Sequence, residues 1–188
     1  ISSAVMLYGM SFLYGATGSV DLATIGAAFT GSAAQVSGLT NIGIAGAILM
    51  IVGFGFKAAL VPFHQWSPDA YQGAPTPVTT FLAVGPKAAG FAMMIRVLGV
   101  ALAPQTESWQ AVLNVVALLT MVIGNITALQ QTDIKRLVAY SSVNHMGFVA
   151  MGLAVTALAY GQAYMTGSSQ YMQDAILATN GAVLQMFN

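Results

Sequence analysis

The chain contains no cysteine, which excludes disulfides, thiolate-bound metals and iron–sulfur ligation. Charge is nearly missing too: five Lys and Arg balance five Asp and Glu, together 5% of the residues, against about 25% in an ordinary soluble domain. Charge this sparse and balanced excludes a nucleic-acid surface or a basic membrane-surface domain, since both need clustered Lys and Arg to meet phosphate. The two histidines, His64 and His145, lie far apart, and no GxGxxG follows a strand-like run. Nothing in the chain therefore reads as a site for NADH, flavin, iron or another metal. The opening ISSAVMLYGMSFLYG has neither an initiator Met nor a basic n-region, so it reads as the cut end of a longer protein and not as a signal peptide.

What the chain does contain is apolar. Hydrophobic residues make up 57% of it and the mean hydropathy is +0.76, so the sequence predicts an integral membrane protein, all-α and polytopic. Eleven Met and twenty Gly suit packed transmembrane helices, where small residues let backbones approach and Met fills irregular gaps. A window of about 20 residues per span gives five or six segments: Ile1 to Tyr14, Ile42 to about Val61, about Val78 to Ala101, Trp109 to Leu129, Leu137 to about Tyr160, and the start of another from Met172. The connectors are short or rich in Gly, Ser and Ala, no internal repeat is visible, and residues 1–188 form a single transmembrane domain fragment. If the spans alternate, connectors 62–77 and 130–136 share one side of the membrane. The second carries Lys135 and Arg136, which makes that side the inside.

Two lysines interrupt this apolar background. Lys57 stands in GFGFKAALVPFHQW, with Gly53 and Gly55 before it and Pro62 after it, a pattern that predicts a break in the helix around the lysine. Non-helical backbone survives at membrane depth only where protein buries it or water reaches it. Lys57 then either faces a hydrated interior or snorkels to the interface along its own stem. Lys87, in FLAVGPKAAGFAMMIRVL, is harder to rescue by snorkelling. It lies about 15 Å of helix rise into its span, near the middle of a hydrocarbon layer ~30 Å thick. It is either a functional group, as intramembrane ionisable residues are by default, or a lysine paired with a carboxylate inside the bundle. Desolvated ammonium groups on consecutive spans are the start of a polar axis of the kind a proton relay needs.

The residues that carry these features also carry a resemblance. GFGFKAALVPFHQWSPDAYQGAPTPVTTFLAVGPKAAG resembles the signature of the antiporter-like membrane subunits of respiratory complex I (NADH:quinone oxidoreductase). TALQQTDIKRLVAYSSVNHMGFVAMG is similar to the second hallmark of the same superfamily. The N-type subunit matches best and the M-type next. NGAVLQMFN, near the end, is more similar to the M-type. The superfamily extends to Mrp-type cation/proton antiporters and to membrane subunits of energy-converting hydrogenases.

The resemblance implies a fragment of a fourteen-helix fold, about helices six to eleven, with a broken helix near Lys57. It implies proton transfer by Lys57 and Lys87, with His64 and His145 as candidate relay residues. Each histidine also has a plainer reading, as a loop-bonded interfacial group or as interhelical glue beside Ser141 and Ser142. Lys135 and Arg136 read as topological residues and Asp69 as a turn or cap residue. The family's glutamate partner of Lys57 falls before Ile1 and its helix-twelve ionisable residue after Asn188. The implied function is proton translocation in the membrane arm, with no redox chemistry in this chain. The whole complex would use NADH, FMN, iron–sulfur clusters and quinone, and the partners would be other membrane-arm subunits, the lipid bilayer and protons, with no nucleic acid. The implied location is the bacterial inner (plasma) membrane. A sodium/proton antiporter subunit and a membrane hydrogenase subunit are the alternatives. No Asp lies in the first five spans to offer Na⁺ a hard oxygen ligand, which disfavours sodium transport.

Overall fold

The computed structural model describes residues 2–30 and 39–166, together with Gln173, Ile176, Leu177, Asn180 and Gly181. Every regular element among the described residues is helical: α1 (Ser2–Thr17), α2 (Leu22–Ala28), α3 (Leu39–Ala58), α4 (Trp66–Gly73), α5 (Thr76–Arg96), α6 (Thr106–Leu129) and α7 (Ile134–Thr166), with a π-helical turn (Val97–Ala101) and a 3-10 turn (Ala103–Gln105) joining α5 to α6. Four helical stretches, 40–58, 76–101, 103–129 and 134–159, are long and apolar enough to cross a membrane. They coincide with the second to fifth expected spans. Most of the stretch from Met172 onwards lies outside the described residues.

Because lipid is as apolar as a side chain, these helices have no polar face and must associate by close packing. Glycine supplies the closeness. A Cβ on Gly53 would lie 2.4 Å from the Met6 Cβ, and one on Gly147 would lie 2.7 Å from the Met121 Cγ. So α1 sits backbone-close on α3, and α6 on α7. The core lies between α3, α5, α6 and α7, where Met50, Phe91, Met94, Leu98, Trp109, Leu113 and Val149 are almost completely buried. Leu118, Val122, Ile126 and Phe148 are exposed on the outside of the bundle, the face that lipid would cover.

The break near Lys57 is present, at Ala59, but the glycines are not what opens the helix. Gly53 and Gly55 remain helical, and α3 ends only at Ala58. Their role is packing: Gly53 admits Met6, and Gly55 faces the Phe63 ring. The helix is stopped by Ala59, whose φ of 59° is left-handed, a conformation that cannot propagate a right-handed helix. The amide of Leu60 then donates back to the Gly55 carbonyl at 2.7 Å, the closing bond of a Schellman cap. Two further bonds satisfy the opened backbone. Trp66 Nε1 donates to the Phe56 carbonyl at 2.9 Å, and the Val61 amide donates to Thr120 Oγ1 on α6 at 3.0 Å. Irregular backbone is thus tolerated because protein groups satisfy it.

After the break, α4 runs back as a short helix and delivers the chain to α5. Its outer end is tied to the start of α7. Arg136 pairs with Asp69 at 2.8 Å and also donates to Gln72 Oε1 at 2.9 Å, while Lys135 Nζ donates to the Ala74 carbonyl at 2.8 Å. Asp133 caps α7, accepting from the amides of Lys135 and Arg136, and takes a bond from Gln72 Nε2. Connectors 62–77 and 130–136 therefore lie on the same side of the bundle, as alternation of the spans requires.

Candidate functional site

Where α4, α5 and α7 meet, a group of buried polar side chains surrounds Lys87. Lys87, on α5, is 1% exposed. Pro86 immediately precedes it, and Pro lacks the amide that would close a helix bond there. Its ammonium donates to Ser142 Oγ on α7 at 2.5 Å and lies 5.4 Å from the centre of the Tyr71 ring on α4. Among the described residues no carboxylate is within ion-pairing distance of Lys87. The pairing with a carboxylate that the sequence left open is therefore not found here.

Around Lys87 lie further buried groups. Tyr71 and Ser67 are completely buried, with the Tyr71 hydroxyl beside the hydroxyls of Ser67 and Ser142. Burial raises the Tyr71 phenol above its ordinary value, and the neighbouring hydroxyls of Ser142 and Ser67 partly offset this. His64 occupies the turn between α3 and α4. Its ring stands edge-on to Tyr140 of α7 at 6.2 Å, and its Nδ1 is buried without a partner. Burial lowers the His64 imidazole below its usual range, against a smaller opposing effect of the Pro62 backbone. His64 thus joins the inner end of the break to the same α4–α7 seam.

Lys57 occupies the last turn of α3, where its charge complements the helix C-terminus. A Cβ on Gly90 would lie 3.5 Å from the Lys57 Cβ, so the base of the Lys57 side chain meets α5 one helical turn from Lys87. The Lys57 side chain is exposed. His145 stands apart: it is exposed on α7, with its ring beside Phe148 at 6.5 Å. Ser141 is exposed as well. Of the two serines singled out by sequence, only Ser142 reaches a lysine. Asp69, in the first turn of α4, holds Arg136. Tyr71, Ser67 and Tyr140 were not singled out by sequence. The signal for two of them was present in WSPDAYQG, since Ser67, Pro68 and Tyr71 fall on one helical face and all three are buried.

A family described as NADH:quinone oxidoreductase/Mrp antiporter, transmembrane, matches residues 1–178. The chain belongs to this family. The NADH-quinone oxidoreductase subunit N 2 of Symbiobacterium thermophilum is 47% identical over 163 residues, covering 84% of this chain and 32% of that protein. The chain thus spans about a third of the length of the curated relatives it matches. Among solved structures, respiratory complex I from Thermus thermophilus contains a similar chain, with a TM-score of 0.65 and 38% identity over 86% of this chain and 35% of that one. The Mrp complex from a Dietzia species gives 0.71 at 23% identity, over 87% of this chain and 30% of that one, a likeness of fold. With its four apolar helices and bacterial relatives, this antiporter-family chain is an integral protein of the bacterial inner membrane.

Proposed function

We propose that the chain is the central part of an N-type membrane-arm subunit of NADH:quinone oxidoreductase, and that Lys57 and Lys87 carry protons in it. Oxidation of NADH, with its FMN, iron–sulfur clusters and quinone, belongs to other parts of such a complex. The supporting observation is the partner of Lys87. A buried lysine beside a carboxylate is held in its charged state, whereas Ser142 offers a hydroxyl, which both accepts and donates. When Lys87 is protonated, its ammonium donates to Ser142 Oγ. When the proton has left, the amine lone pair accepts from the same hydroxyl, so Lys87 keeps a hydrogen bond to Ser142 in either state. The base of the Lys57 side chain meets α5 at Gly90, one turn from Lys87, and His64 lines the connector side of the same seam. His145, exposed on α7, is the weaker candidate for a relay.

Sequence similarity favours this reading over sodium/proton exchange. The relative at 47% identity bears the quinone oxidoreductase name, while likeness to the Mrp complex rests on the fold at 23% identity. The test uses the full-length protein in an assembled, vesicle-reconstituted complex. Lys57→Met, Lys87→Met and Lys87→Arg are each expected to assemble and to lose quinone-dependent proton pumping. Arg fails because it does not release its proton. Pumping at the wild-type rate by both Met variants would overturn the assignment.

A further inference from the structure

An ammonium that is 1% exposed has lost its hydration, and one hydroxyl does not replace it. The second contact of Lys87 is the face of Tyr71, 5.4 Å from the ring centre, within the ~6 Å over which an aromatic quadrupole attracts a cation. Tyr71 is itself 0% exposed, and such attraction is strongest where water is excluded.

The ring is also held in place. Thr79 Oγ1 on α5 donates to the Tyr71 carbonyl at 3.2 Å. Asp69 and Gln72, on either side of Tyr71 in α4, are both bound by Arg136. Tyr71 meets Lys87 with its ring face, and no hydrogen bond joins the phenol oxygen to the ammonium.

We infer that Tyr71 is the positioning residue of Lys87: its ring, carried on the half-helix after the break, holds the charged lysine against Ser142. The inference rests on the reading of Lys87 as a proton carrier. Tyr71 favours the protonated lysine without ionising itself, and displacement of α4 would withdraw that support. The broken helix would then act on Lys87 through an aromatic face.

Fluorination tests this without changing shape, because it drains the ring's negative face while the side chain stays nearly isosteric. Phenylalanine and its mono-, di- and trifluorinated forms are placed at position 71 of the full-length protein by nonsense suppression. Proton pumping and assembly are then measured in reconstituted complex, beside Lys87→Met. Phenylalanine is expected to pump within about twofold of wild type. Pumping should then fall stepwise along the fluorinated series, by about three- to thirty-fold at its end, with assembly unchanged. A flat series alongside an inactive Lys87→Met would overturn the role of Tyr71 alone. An inactive phenylalanine variant would also overturn it, because the hydroxyl would then be the working group. Wild-type pumping by Lys87→Met would overturn this inference together with the reading of Lys87 as a carrier.

Discussion

His64 shows how much one buried side chain can make a membrane protein depend on pH. Its ring packs on Tyr140, its Nδ1 has no partner, and burial keeps its imidazole below the ordinary 6.5. The folded state therefore prefers the neutral ring more strongly than the unfolded chain does. The stability this brings is fully present above about pH 6.5 and is lost as the pH falls through the lower folded value. Between about pH 7.5 and about pH 5.5 the assembled wild-type protein should lose more thermal stability than His64→Gln, which cannot titrate there. Melting curves of the solubilised complex at the two pH values check this; equal losses in the two proteins would mean that His64 charges freely in the fold. The same scale separates two adjacent serines on α7: a step of about 100° around a helix leaves Ser141 exposed and brings Ser142 to Lys87.

At the scale of elements, the break between α3 and α4 is set by one left-handed residue and by the bonds that close around it. Ala59 is fully buried with φ 59°, where alanine is tolerated but a β-branched side chain is severely strained. Ala59→Val should destabilise the assembled protein by about 2 kcal/mol or more, while Gly90→Ala, whose Cβ has 3.5 Å of room, should be nearly neutral. Comparing assembly yield and melting midpoint of the two variants tests this, and a fully stable Ala59→Val would show that another feature enforces the break. The spans were legible in the sequence because hydropathy over about twenty residues is a strong signal. The break near Lys57 was legible too, through Lys57 and Pro62, but the part played by the glycines was not. Glycine in a membrane helix serves close packing at least as often as unwinding, and only the tertiary partner, Met6 for Gly53, distinguishes the two. Tyr71 was harder still to read, because its contact with Lys87 exists only once α4 folds back beside α5.

For the molecule as a whole, the bonds from Arg136 to Asp69 and from Lys135 to Ala74 put two connectors on one membrane face. Gln65 and Thr132 are exposed there, whereas Ser67 is buried, so the first two are the useful positions for labels. Single cysteines at Gln65 and Thr132 in the full-length protein should react with an impermeant thiol reagent from the same side of inverted vesicles, the side carrying Lys135 and Arg136. Modification from opposite sides would contradict the fold. The lengths of these ties also bear on how the protein is made. Ser142 lies 55 residues after Lys87, and Arg136 lies 67 after Asp69. When α3, α4 and α5 leave the ribosome, the hydroxyl that receives the lysine and the guanidinium that anchors α4 have not yet been translated. The nascent lysine must then stay near water, or beside the insertion machinery, until the α6–α7 hairpin enters the bilayer. Burial of the charge is accordingly a late event in biogenesis, and its timing is fixed by the order of the residues along the chain.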